Sequence, residues 1–194
     1  MDDTSELSSQ EESDLFDKKY NKVCVDRPWE WLRKPATGTL STSVPYVPLP
    51  SDFAHMLSNH NYTESSEEAD FPVVFVGASY SPYKVVSMGD RRQYRDRDGY
   101  CYIDIVNSRL YFTKQPTVAD TYEFDYSYIP TALAAGESPA FPTRFHDIIY
   151  HLMCVDSFVL QQSDKAKSYA SENKQLAEEM MDDMAYWNAQ LIQQ

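Results

Sequence analysis

Tyr122-Glu123-Phe124-Asp125-Tyr126-Ser127-Tyr128 alternates aromatic and polar residues without a break. A period of two sets four rings on one face of a β-strand and the carboxylates and hydroxyl on the other. The residues before this strand read mainly as β, and those after it as helix. Val73-Val74-Phe75-Val76 and Tyr83-Lys84-Val85-Val86 are short runs of strand-forming composition. Tyr100 to Val106 and Arg109 to Thr113 flank Asn107-Ser108, which predicts a hairpin with a tight two-residue turn. Gly89 to Gly99, charged throughout, reads as a loop or an irregular pair of strands.

Further towards the N-terminus, Leu15, Phe16, Tyr20, Val23 and Cys24 recur at helical spacing. Pro28 lacks the amide a helix needs, so this helix should stop or kink near Asp26–Arg27. Trp29, Trp31 and Leu32 then anchor a short turn. Lys34 to Ser43 reads as a loop or weak strand, and Val44 to Phe53, with three prolines, as extended or turning. Asp52 is placed to cap a short helical turn over Phe53 to Leu57. After the β stretch, Thr131 to Pro142 is a linker and Thr143 a candidate N-cap. Neither Gly nor Pro occurs from Thr143 to Gln194. One helix of that length would reach roughly 75 Å, so a turn is expected near Gln162–Asp164. The second helix carries Tyr169, Leu176, Met180, Met184, Trp187 and Leu191 as its expected packing stripe.

The expected class is therefore α+β, with four segments. Residues 1–13 form an acidic N-terminus, mobile or the frayed start of a helix, and 14–57 the first helix and connecting segments. Residues 70–130 form a β domain, and 143–194 a helical hairpin packing with 14–57.

Hydrophobic residues make up 42% of the 194, enough for a real core. The formal net charge of −13 argues against coating nucleic acid, which needs clustered cations. Cys24, Cys101 and Cys154 are odd in number and far apart. That spacing suits neither a disulfide framework nor a zinc cluster, and each is expected as a small apolar core residue. The N-terminus has no signal-peptide pattern, and no apolar run is long enough to span a membrane.

Catalytic patterns are sparse. His146 and His151 lie five apart, which puts them on different faces of a helix; metal ligands favour three or four. A half-buried His146 and a surface His151 are expected instead. Five glycines leave little room for a phosphate-cradling loop. The chain is accordingly read as a non-enzyme without metal or cofactor, against an acidic hydrolase whose carboxylates nothing organises. One basic cluster interrupts the acidic composition. Lys84, Arg91, Arg92, Arg95 and Arg97 outnumber Asp90 and Asp96, with Tyr94 and Tyr100 among them. Three readings are open: phosphate pairing with base stacking, docking on an acidic partner such as the helices of a neighbouring copy, or a solvated loop.

The order of the landmarks adds something that no single motif carries. The first helix runs into Trp29-Glu30-Trp31-Leu32, and Tyr46-Val47-Pro48-Leu49-Pro50-Ser51-Asp52-Phe53 follows. Next come the hairpin at Asn107-Ser108, the strand and linker from Tyr122 to Pro130, and Phe141-Pro142-Thr143-Arg144-Phe145-His146 opening the last helices. This series resembles the head–tail adaptor proteins of tailed bacteriophages, which include tail tubular and head-completion proteins. The resemblance spans nearly the whole chain after about residue 14. It implies a helical bundle, the N-terminal helix plus two C-terminal helices, with an inserted antiparallel β domain. It also implies a structural ring subunit, expected as a dodecamer. The ring would dock on the portal protein, join the next tail or nozzle component, and let DNA pass through its lumen without specific binding. The place implied is the neck of a virion assembled in the host cytoplasm. Residues 185–194, with Trp187, Leu191 and Ile192, would be the portal-docking segment, and Lys84, Arg91, Arg92, Arg95 and Arg97 contacts to a neighbouring subunit or partner. The alternatives are a tail-completion or stopper ring and a nucleic-acid-binding module using Arg91 to Arg97.

Overall fold

The computed structural model describes residues 8–58, 72–133, 137–159 and 163–191. Among these, α1 (Ser9–Val25) precedes a single 3-10 turn at Glu30–Leu32. The strands are β1 (Arg33–Thr39), β2 (Tyr46–Pro48), β3 (Phe53–Met56), β4 (Val73–Val76), β5 (Ser81–Val86), β6 (Tyr100–Asp104), β7 (Arg109–Phe112) and β8 (Thr121–Tyr128). Then come α2 (Asp147–Val159) and α3 (Asp164–Leu191). Two compact units result. The described residues up to Trp31 and from Ile129 on form a helical unit, and Leu32–Tyr128 form the β unit.

The expected helical bundle with an inserted antiparallel β domain is corrected here. The chain is mostly one curled, mixed sheet of eight strands, accompanied by three helices. Its order is β1-β8-β4-β5-β6-β7-β2, with β3 also on β8. Two features account for the difference. Residues 33–56, read as loop, proline-rich extension and helical turn, supply three strands. Pro35 and Pro48 fit because β1 and β2 are the end strands of that order, where a missing amide costs no ladder bond. Secondly, β5 and β6 pair in parallel, so the sheet is not purely antiparallel.

The aromatic strand is the hub. Along one edge β8 pairs with all of β1, from Arg33 opposite Ser127 to Thr39 opposite Thr121. Its other edge is shared: β4 takes Tyr122 and Glu123, and β3 takes Tyr126 to Tyr128. Phe124 and Tyr126 sit in the core with Val47, Val74, Leu110 and Phe112. Tyr122 lies against Gly38 of β1, where an added Cβ would come 2.6 Å from the phenol oxygen. Ser127, on the nominally polar face, is also fully buried. Asp52 caps no helix: β3 is a strand, and the Asp52 carboxylate accepts from Tyr126 Oη at 2.8 Å and pairs with Lys34 Nζ at 2.8 Å.

The β6–β7 turn is longer than its sequence suggested, running over Ile105 to Ser108. The Asp104 carboxylate holds it, accepting from both the backbone and the side-chain amide of Asn107. Ser108 takes the positive φ of 50°. A four-residue turn places Tyr102 opposite Tyr111, whereas a two-residue turn would have placed it opposite Thr113.

In the helical unit, Ser8 and Glu11 cap α1 reciprocally, so the helix starts inside the acidic N-terminal segment. It ends at Val25, before Pro28. The buried Trp29 donates its indole N–H to the Val23 carbonyl at 2.7 Å. Thr143 is not an N-cap. Thr143–Phe145 form a 3-10 turn after Pro142, and α2 starts at Asp147. α2 ends at Val159 and α3 starts at Asp164, and the turn expected near Gln162–Asp164 lies partly outside the described residues.

The packing face of α3 needs a second correction. Its buried residues are Ala166, Ala170, Ala177, Met184 and Asn188. Of the expected stripe Met184 is buried and Met180, Trp187 and Leu191 are half-buried, whereas Tyr169 and Leu176 are exposed. Alanine lets helix backbones approach closely, so the narrow side chains face inward.

Candidate functional site

Parallel neighbours cannot be joined by a tight turn; the chain must cross over, which takes about a dozen residues. Between β5 and β6 that crossover is 87–99, and it holds Arg91, Arg92, Arg95 and Arg97. The basic cluster is thus the connection that the parallel pair demands. It is shaped by a 3-10 turn at Asp90–Arg92 and by left-handed residues at Asp96 (φ 61°) and Gly99 (φ 80°). Its far end is pinned to β7. The Asp96 amide donates to the Thr113 carbonyl at 3.0 Å, and the Thr113 hydroxyl lies 2.5 Å from the Arg97 carbonyl. Tyr94 packs on Tyr100 of β6 at 4.5 Å between ring centroids.

Three tyrosines make a row across the adjacent strands. Tyr46 of β2 is in register with Tyr111 of β7, and Tyr111 with Tyr102 of β6. The Tyr102 and Tyr111 rings stack 5.3 Å apart at 6°, and Tyr46 follows at 5.2 Å. The Arg109 guanidinium lies 4.1 Å from the Tyr46 ring centroid, a cation–π arrangement. Crossover and tyrosine row together line an open cleft of about 410 Å³, with Pro45, Arg91, Arg92, Arg95, Tyr102 and Tyr111 on its walls. Burial raises the Tyr102 phenol and Tyr111 adds to that, while the Arg91 charge works against them. Arg91 donates to the Met88 carbonyl at 2.6 Å, and Arg95 faces Asp96 at 3.7 Å with both side chains well exposed. Cations around an apolar aromatic floor suit a ligand that alternates carboxylates with apolar groups.

Of the five basic residues singled out in the sequence, Arg91, Arg92 and Arg95 line the cleft. Arg97 lies over Tyr94 at 5.8 Å. Lys84 sits within β5, opposite Tyr100. The tyrosine row was missed. Its signal was present in Tyr102 and Tyr111, which fall on one face of the expected hairpin, but their direct pairing depended on the length of the β6–β7 turn.

The segment 185–194 begins inside α3. Trp187 is half-buried, packing on Phe145 at 5.9 Å with Arg144 5.9 Å from its ring. The buried Asn188 accepts from the Glu30 amide at 2.7 Å. Leu191 is half-buried, and Ile192 lies outside the described residues.

His146 and His151 are not brought together. His146 Nε2 is 2.9 Å from the Phe141 carbonyl, and His151 Nδ1 is 2.8 Å from Asn173 Oδ1. His151 is half-buried rather than on the surface. Among the described residues no group of three or more His, Cys, Asp or Glu could hold a metal ion, and no helix is long and apolar enough to cross a membrane. Cys24 and Cys101 are buried, whereas Cys154 is only half-buried. Burial pushes the Cys24 thiol up to about 12 and the Cys101 thiol higher still.

Residues 12–194 match a protein-family model described as SU10 adaptor protein. No curated protein matches the chain.

Proposed function

The chain belongs to the SU10 adaptor protein family, a phage head–tail adaptor family, and from that premise we propose that it is a ring subunit of the virion neck. In this reading the ring docks on the portal, links the head to the next tail or nozzle component, and forms part of the channel through which DNA leaves. The observation that carries the reading is the extent of the family match, which begins within α1 and runs to the last residue.

The composition suits such a duct. A net charge of −13 disfavours adhesion to phosphates wherever it lines a passage, so DNA can slide. The function is then geometric and needs no catalytic group. The segment proposed to dock on the portal is residues 185–194, through Trp187, Leu191 and Ile192. Since Asn188 is tied to the Glu30 amide, the docking surface there is best probed by substituting Leu191 and Ile192 rather than by truncating the helix.

Mass photometry of the full chain mixed with the portal protein of the same phage tests the proposal. The expected result is a portal complex loaded with a ring of adaptor copies. Two folded proteins that stay apart would overturn it.

A further inference from the structure

We propose that the arginine–tyrosine cleft of one copy grips the outer face of α3 in a second copy. The proposal rests on the ring reading and names a contact that builds the ring.

The observation behind it is the exposed flank of α3. With Ala166, Ala170, Ala177, Met184 and Asn188 facing inward, that flank carries Tyr169, Glu172, Leu176, Glu179, Asp183 and Tyr186, and Tyr169 at its start also packs on Phe158 of α2 at 5.6 Å. These positions are spaced by three and four, so they form one continuous stripe along the helix. All six are exposed, and Tyr186 is 71% exposed. Such a helix normally turns polar residues outward. This one instead sets three large apolar side chains between three carboxylates. From Tyr169 to Leu191 the helix has five carboxylates and one ammonium, Lys174. Lys165 lies one turn earlier, 5.7 Å from the Tyr169 ring.

The cleft is the chemical complement of that stripe. Arg91, Arg92 and Arg95 supply three cations against one carboxylate, Asp96, and the stacked Tyr102 and Tyr111 with Pro45 supply an apolar floor. Arginine suits carboxylate recognition through its planar fork of donors. Tyrosine buries area at small entropic cost and accepts both aliphatic and aromatic neighbours. Charge complementarity selects the occupant. In a chain of net charge −13, the crossover sets four arginines against Asp90, Asp96 and Asp98, and the α3 stripe is acidic and apolar together. The contact is head-to-tail, because cleft and stripe are different surfaces. A contact of that kind closes into a ring when its rotation permits, whereas two identical patches would stop at a dimer.

A charge-swap experiment on the full chain tests the contact. One variant carries Arg91→Glu, Arg92→Glu and Arg95→Glu; the other carries Glu172→Lys, Glu179→Lys and Asp183→Lys. Sedimentation velocity at low ionic strength should show each variant self-associating at least about tenfold more weakly than the unaltered chain. In an equimolar mixture each acidic cleft meets a basic stripe and each basic cleft an acidic one, so association should return. Two variants that remain apart when mixed overturn the proposal. A second measurement does not depend on the triple variants folding. In a Cys154→Ser background, Arg95→Cys and Glu179→Cys chains are mixed and treated with a bismaleimide. Cross-linked dimers should join unlike chains; cross-linking of like chains to the same extent, or none, overturns the contact. Capture of a labelled single-stranded oligonucleotide by the unaltered chain, lost in the arginine variant, also overturns it and makes the cleft a nucleic-acid site.

The ring reading fails separately. If the unaltered chain loads the portal and the arginine variant loads it equally well, the contact is wrong and the ring stands. If the unaltered chain never loads the portal, the ring reading falls, and the cross-linking still decides whether cleft and stripe meet.

Discussion

Lys19 of α1 and Asp156 of α2 form an ion pair whose two ends differ in surroundings, and that difference makes a sharp prediction. The ammonium and a carboxylate oxygen are 2.6 Å apart. The Lys19 side chain is 8% exposed and the Asp156 side chain 41%. Removing one partner from a buried pair costs about 3–5 kcal/mol, because the charge left behind is uncompensated. Here only one end is buried. Asp156→Asn leaves an ammonium in the protein with an amide in place of its counter-charge. We expect a loss of about 3 kcal/mol, the low end of that range, since water reaches the aspartate side. Lys19→Met keeps the aliphatic stem against the helices and leaves a carboxylate that water can solvate. The expected loss is below about 1 kcal/mol, as for an exposed pair. Urea unfolding followed by helical circular dichroism reads both. With a slope of about 2 kcal/mol per molar urea, the aspartate variant should unfold roughly 1.5 M earlier and the lysine variant less than about 0.5 M earlier. Equal losses, or a larger loss for Lys19→Met, would refute the argument from unequal burial.

Other outcomes follow from the same contacts. Asn188→Ala removes the acceptor for the Glu30 amide and should cost about 1–2 kcal/mol, measurable as a lower urea midpoint with an unchanged slope. Ser127 Oγ is buried and has no hydrogen-bond partner among the described residues; Ser127→Ala should therefore be neutral or stabilising by about 1 kcal/mol in thermal melts. Asp98 accepts from the Tyr83 hydroxyl and from Lys114, which hold its carboxyl below the usual range. A lowered folded pKa gives stability that is present above the unfolded carboxylate value, about 3.9, and is lost as pH falls through the folded one. Acid melts of Asp98→Asn should thus differ from the parent at neutral pH, and the difference should shrink as pH falls through the lowered folded value. In the native chain Cys154 should take up maleimide long before Cys24 or Cys101, whose thiols are buried and resist ionisation; mass spectrometry of a short labelling pulse reads the order.

The sequence showed the strand at Tyr122 to Tyr128 because its alternation is local, and it showed the end of α1 because Pro28 is a local stop. What it hid is set by partners. Residues 33–56 look like loop because prolines and small residues weaken any strand signal, yet an end strand tolerates them when a neighbour such as β8 supplies the ladder. The parallel pairing of β5 with β6 left no mark on either strand, only a basic connection whose length went unread. On α3 the expected stripe was right at Met184, which is buried, but close packing of helices favoured Ala166, Ala170 and Ala177 over Tyr169 and Leu176. Of the candidate site, the arginines were legible as composition. The tyrosine floor depended on two residues of turn length.

The strand that clasps β1, β3 and β4 is also the last of the eight to be synthesised. Until residue 128 has left the ribosome, those three carry open edges with nothing to zip against, and non-local pairing of this sort is slow and prone to stray association. A nascent chain stalled before Thr121 should therefore be protease-sensitive at β1, β3 and the free edge of β4. Adding the next eight residues should lock all of them in one cooperative event, as a keystone does an arch.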